Sequence, residues 1–172
     1  YKRQCLYYLI SETVIILILV HVDDYVVAHN NDDYYKNFSE SFGKRFTVND
    51  LGELDHILQM GVYWNKDKTA VSFSQKKHIE KIAAKFGITN AKPKYIPMSA
   101  EKELKRGQPI DTTLPYLNLL GSLMWIARCT RPDIQFAVNF LAQFSHCYTI
   151  EHYTALKLSL IHISEPTRPE DI

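Results

Sequence analysis

The feature that most constrains this chain is an unbroken apolar run, Val14 to Val20, that ends close to two adjacent carboxylates, Asp23 and Asp24. The run is far shorter than the roughly 20 residues a membrane-spanning helix needs. It reads Val-Ile-Ile-Leu-Ile-Leu-Val, and β-branched side chains of this kind fit the pleated surface of a sheet. A buried strand is predicted. Another apolar stretch, residues 5–10, lies just before it across a Ser11-Glu12-Thr13 turn, and a third short strand, Tyr25 to Ala28, follows the acidic pair.

Downstream the periodicity changes. Asn30 and Asn31 are good helix caps, and Asp32 and Asp33 suit the positive end of a helix dipole. Tyr34, Phe38 and Phe42 recur every four residues, predicting a helix over 33–45 packed on the sheet. Residues 57–64 and 69–73 read as a hairpin around Asn65-Lys66-Asp67-Lys68. Ser74 is expected to cap a helix over 75–86, with Ile79, Ile82, Ala83 and Phe86 on one face and Gly87 ending it. Residues 88–114 read as a linker. Helices are predicted from Pro115 through Ala127 and over 132–145, each with proline in its first turn. There is no internal repeat. The fold class is α+β.

Composition narrows the field. The 172 residues are 46% hydrophobic and 23% charged, so a packed core is expected rather than disorder. A net charge of +1 argues against a globally basic nucleic-acid-binding domain, although local stripes can still bind. Cys5, Cys129 and Cys147 are scattered and odd in number, which disfavours a disulfide framework or a structural zinc site. The opening Tyr-Lys-Arg-Gln-Cys carries no signal peptide and does not read as a natural start. The expected compartment is cytoplasmic or nuclear, not secreted, with no membrane partner.

The acidic pair can serve two purposes. Two-metal phosphoryl transfer needs closely spaced carboxylates to hold ions about 4 Å apart. Adjacent strand residues point to opposite faces, and a tight turn at the pair would relieve this. Equally, Asp-Asp suits the polar turn of an ordinary hairpin.

The flanking residues carry a resemblance. His21-Val22-Asp23-Asp24 resembles the Tyr-Val-Asp-Asp box of copia-type retrotransposon reverse transcriptases. In family order follow Asp50-Leu51-Gly52-Glu53-Leu54, Leu58-Gln59-Met60-Gly61-Val62, Ser74-Gln75 with His78-Ile79-Glu80-Lys81-Ile82, and Lys85-Phe86-Gly87. Lys92-Pro93, Pro97-Met98, Gly121-Ser122-Leu123-Met124, Thr130-Arg131-Pro132-Asp133-Ile134, Ala137-Val138-Asn139 and Glu151-His152 complete the run.

The resemblance implies part of a Pol polyprotein: the C-terminal part of a polymerase palm (1–64), a thumb-like helix and linker (65–114), and a helical connection toward an RNase H domain (115–157). Asp23 and Asp24 would be the catalytic and metal-binding pair, with Mg²⁺ (or Mn²⁺). His21 and Val22 would lie near the nucleotide, and Gln59, Met60 and Gly61 near the primer. The implied partners are an RNA/DNA template-primer, a dNTP and the remainder of Pol, and the implied site of action is a cytoplasmic virus-like particle or the nucleus.

Two departures stand out: His21 replaces a tyrosine, and Gln59 replaces a glycine where backbone would approach the primer. Both fit either tolerated variation or a decaying element. The family's further catalytic Asp lies upstream of the segment seen here, so this chain alone is expected to be inactive. The alternative is a non-catalytic nucleic-acid-binding or interaction remnant of a dead or domesticated element.

Other residues carry weaker signals. Lys77, Lys81 and Lys85 recur at i, i+4 and i+8 and could contact phosphates or simply be solvated. Arg131 could contact nucleic acid or pair with Asp133. Trp64 and Trp125 are expected in the core, and the histidines lack metal-ligand spacing. Residues 158–172 resemble translated sequencing-adapter DNA and are expected to be a non-native tail.

Overall fold

The computed structural model describes residues 5–89, 91–92, 94–99, 104–105 and 112–164. The fold is α+β, and the chain divides into two compact units, Tyr1–Leu54 and Asp55–Ile172.

In the first unit, β1 (Leu6–Ile10), β2 (Ile15–His21) and β3 (Asp24–His29) form an antiparallel sheet in the order β1-β2-β3. Helix α1 (Asp32–Gly43) begins where Asn31 accepts a hydrogen bond from the Tyr34 N–H at 2.9 Å. It packs through Tyr35, which stacks on His29 at 4.4 Å, and through Phe42, edge-on to Tyr25 at 5.7 Å. The packing stripe is thus Tyr35, Phe38 and Phe42, whereas Tyr34 from the expected stripe is exposed. A spacing of four drifts about 40° per step around the helix, and the i, i+3, i+7 spacing holds a straighter line.

The apolar run departs from expectation in a way that matters. β2 alternates: Ile16 is buried and Ile18 and Val20 half-buried on the side of α1, while Ile15, Leu17 and Leu19 are exposed. The strand is therefore covered on one face only. A continuous apolar run is the signature of a strand covered on both faces, and here α1 supplies a single layer.

The second unit opens with a small antiparallel sheet of β4 (His56–Ile57), β5 (Met60–Trp64) and β6 (Val71–Ser74). The expected boundary after residue 64 falls inside the β5–β6 hairpin, where Trp64 pairs with Val71. Trp64 is half exposed rather than in the core: it ends β5 opposite the exposed Val71, while Val62, two residues earlier on the same face, is buried.

Helix α2 (Lys76–Lys85) starts one residue later than expected; Ser74 still serves the terminus, accepting from the Lys76 N–H at 3.3 Å. It ends in a Schellman motif. Gly87, at φ +68°, donates to the Ala84 carbonyl and Ile88 to that of Ala83, and Ile88 is buried in the accompanying apolar contact.

Helices α3 (Tyr116–Cys129), α4 (Gln135–Ala142) and α5 (Ile150–Ser164) build the core with α2. Leu119, Leu123, Ile126, Ile134, Leu141, Leu156 and Leu160 are wholly buried, each contributing about 1.5–3 kcal/mol of apolar transfer. The helix expected over 132–145 is divided. Pro132–Ile134 form a 3₁₀ turn, and after Ala142 the chain tightens again, Phe144 and Ser145 bonding the carbonyls of Leu141 and Ala142. Of the expected linker, Ile88 is buried and Ala91, Met98 and Leu104 pack on the core; residues 90, 93, 100–103 and 106–111 lie outside those described. Helix α5 runs without interruption across position 157/158 to Ser164, burying Leu160 and Ile163; residues 165–172 lie outside those described. No helix among the described residues is long and apolar enough to cross a membrane.

Candidate active site and nucleic-acid interface

The acidic pair sits at the tip of the β2–β3 hairpin. His21 and Asp24 are direct cross-strand partners, so the connection is the two-residue turn Val22-Asp23. Cross-strand partners share a sheet face, and the register puts His21 and Asp24 with Leu19, Val26 and Leu17, on the face opposite α1. Val22 is 83% exposed and carries a positive φ of +55°. A β-branched residue rarely takes that conformation, which costs on the order of 1–3 kcal/mol. Asp23 belongs to the turn and Asp24 to the strand, and both are exposed. Among the described residues, no group of three or more His, Cys, Asp or Glu side chains is placed to hold a metal ion.

Behind this hairpin, the Asp50-Leu51-Gly52 turn is tied to α1. Tyr35 Oη donates to Asp50 Oδ2 at 2.8 Å, and the Gly52 N–H donates to Asp50 Oδ1 at 2.9 Å. Those two bonds, the Gly52 amide first, hold the Asp50 carboxyl below its usual range. Gly52 sits at φ +79°, a backbone that suits glycine. Aspartate and glycine in this block therefore have a conformational reason.

In the second unit, β4 and β5 are joined by Leu58-Gln59, both at positive φ (+49° and +65°), as a type I′ turn requires. A glycine at position 59 would have a second physical cause, the left-handed backbone of the turn. Met60 is half-buried at the start of β5. Gly61 is buried and pairs with His56 and Ser74. The hydroxyl end of Tyr63 lies against Gly61: a Cβ added there would meet Oη at 2.9 Å and the nearest ring carbons at 3.0 and 3.1 Å.

Lys77, Lys81 and Lys85 are all exposed, and Lys85 Nζ lies 5.5 Å from the Phe86 ring centroid. A concavity of about 30 Å³ gathers Lys77 with Lys76, Gln59, Gly61 and Tyr63, its walls completed by His56 and Ser74, and leaves out Lys81 and Lys85. Sequence reasoning missed Lys76, Tyr63 and His56. Period-two alternation, which puts Tyr63 on the face of Gly61, was the available signal. A larger open depression of about 430 Å³ beside Gly87, Ile88, Thr89 and Ala91 has no titratable side chain in its lining among the described residues.

Arg131 is engaged within the fold. Its Nε and Nη2 bond both oxygens of Asp133, the shortest contact 2.6 Å, and Nη1 donates to the Ile163 carbonyl at 3.2 Å. The Arg131 hydrogen bond, against a smaller opposing effect of burial, holds the Asp133 carboxyl below the ordinary range.

Residues 3–100 match the family described as reverse transcriptase (RNA-dependent DNA polymerase). The chain belongs to that family. Among similar proteins, a retrovirus-related Pol polyprotein from the Arabidopsis thaliana transposon RE1 is 34% identical across 87% of the chain. The corresponding polyprotein from transposon TNT 1-94 of Nicotiana tabacum is 30% identical across 97%. A putative transposon Ty5-1 protein of Saccharomyces cerevisiae is 28% identical across 75% of the chain. This reverse transcriptase segment spans 10% of the length of the RE1 polyprotein and 13% of the TNT 1-94 polyprotein. No solved structure is a significant match.

Proposed function

We propose that this chain is the C-terminal palm, thumb and connection part of a copia-type retrotransposon reverse transcriptase, in which Asp23 and Asp24 hold the catalytic metal. The single observation that carries the reading is the hairpin tip. It offers two adjacent exposed carboxylates, one of them on the sheet face that α1 leaves open. The donor set fits magnesium, a hard cation commonly held by one or two carboxylates together with water and substrate phosphates. When bound, magnesium supplies charge neutralisation for in-line phosphoryl transfer to the primer 3′ hydroxyl.

The chain's own residues would do the positioning. The left-handed Val22 keeps the turn to two residues and so holds Asp24 in register with His21. His21 stands beside Asp24 where the family has tyrosine, flanking an incoming dNTP. In the longer polymerase, Asp23→Asn and Asp24→Asn should each lower template-directed primer extension at least about 100-fold, the scale of a lost electrostatic contact to the transition state, without lowering the melting temperature. Retained extension in either variant would overturn the assignment.

A further inference from the structure

The hairpin tip carries one group besides the carboxylates that can ligate a metal. His21 and Asp24 are direct partners across the strands, both exposed, on the sheet face opposite α1. Side chains paired in this way have their Cβ atoms about 4.5–5.5 Å apart, within reach of one ion shared by an imidazole nitrogen and a carboxylate oxygen. The two-residue turn leaves no slack between them. Leu19 and Val26 come next on that face, and no lysine or arginine shares it among the described strand residues. A cation bound at the tip therefore meets no positive charge from the sheet.

An imidazole changes which ion such a pair prefers. Magnesium takes oxygen ligands in strict octahedral geometry and gives up its water reluctantly. Manganese also takes carboxylate, phosphate and water, but as a first-row transition ion it gains from a nitrogen ligand as well. A tyrosine phenol in the same place keeps its proton near neutrality and offers no comparable ligand.

We propose that His21 is a metal-selectivity residue: its imidazole adds a nitrogen ligand beside Asp24 and raises the affinity of the site for manganese relative to magnesium. The inference rests on the reading of Asp23 and Asp24 as metal ligands and adds a choice of ion to it. His21, Asp23 and Asp24 do not converge as a three-ligand cage. Water and substrate phosphates complete the coordination, and the chain by itself binds the ion weakly.

The test is nuclear magnetic resonance of the whole chain, isotope-labelled in its histidine rings, with manganese chloride added well below one equivalent. The bound ion broadens the nuclei nearest to it, and all seven histidines report side by side. The His21 ring signal should disappear first. His29 and His56 are internal controls: each lies near a carboxylate, Asp32 at 3.6 Å and Asp55 at 3.3 Å, but neither has that carboxylate as its cross-strand partner. Counting free manganese by electron paramagnetic resonance gives its affinity, and competition gives that of magnesium. His21→Tyr and His21→Ala should each weaken manganese about 10-fold, the lower end of what a lost partner at a metal site costs, and leave magnesium unchanged. Asp24→Asn should weaken both ions.

Equal broadening of His21 and His56, or no broadening at any histidine, would overturn the proposal. So would wild-type manganese affinity in both His21 variants, or an equal loss of the two ions in His21→Tyr. In each of those cases a loss of both ions in Asp24→Asn would leave the carboxylate reading standing. Wild-type affinity in Asp24→Asn would instead remove the carboxylate reading, and the selectivity role with it.

Discussion

Replacing Asp133 by asparagine isolates the value of the Arg131 clasp. Three contacts of 2.6–3.2 Å join the guanidinium to this carboxylate, and His162 Nε2 adds a fourth at 3.2 Å. A charge-assisted hydrogen bond is worth about 1.5–3 kcal/mol when shielded. The Asp133 side chain is 41% exposed, so solvent screening pulls that down toward the range of about 0–1 for surface pairs. The Arg131 side chain is only 18% exposed, and an amide oxygen at position 133 would offer its guanidinium one neutral acceptor in place of a carboxylate, which works in the other direction. About 1 kcal/mol is the expected loss for Asp133→Asn near neutral pH. With a urea dependence of about 2 kcal/mol per molar, the unfolding midpoint should fall by about 0.5 M. Trp125, on α3, reports the transition by fluorescence.

The pH dependence has a definite sign. The folded carboxyl is held below its ordinary 3.8, so its stabilisation is complete above that value and is lost as pH falls through the lower, folded value. The wild-type advantage over Asp133→Asn should therefore vanish in strong acid and be constant through neutrality. An unchanged urea midpoint at neutral pH, or an advantage that grows on acidification, would refute the reasoning.

Three other outcomes are expected. Val22→Gly should slow amide exchange in the β2–β3 hairpin by an amount equivalent to about 1 kcal/mol, because relief of a positive φ outweighs the added chain entropy; faster exchange would contradict the strain. Tyr116→Phe should cost about 1 kcal/mol in denaturant unfolding, since Tyr116 Oη is wholly buried and donates to the Leu141 carbonyl at 2.7 Å. Leu17→Thr/Leu19→Thr should raise the soluble, monodisperse fraction in gel filtration without changing far-ultraviolet circular dichroism, because both side chains lie on the uncovered sheet face; loss of sheet signal would argue that this face is packed.

Much of the secondary structure was legible because it depends on local chemistry. The β-branched run gave β2, the Asn31 cap gave the start of α1, and Gly87 gave the end of α2 through a motif that needs φ +68°. What stayed hidden depends on distance along the chain or on conformations with no compositional marker. Val22, Leu58 and Gln59 all sit at positive φ without being Gly, Asn or Asp. Nothing local to Arg131 announces the Ile163 carbonyl 32 residues later. The grouping of Lys76 with Tyr63 needs the β5–β6 hairpin to fold back onto the start of α2, and helical periodicity alone selects the other lysines.

The two units also differ in when they can form. In Tyr1–Leu54 each strand pairs with its sequence neighbour, so that sheet can close while later residues are still inside the ribosome. The second unit has to wait. Gln75 meets Thr130 55 residues on, and the Ser159 hydroxyl reaches the Pro97 carbonyl across 62. Its core lacks a wall until α5 has emerged. The early sheet stands with Leu17 and Leu19 in water from the moment it closes, which makes that face a natural substrate for nascent-chain chaperones.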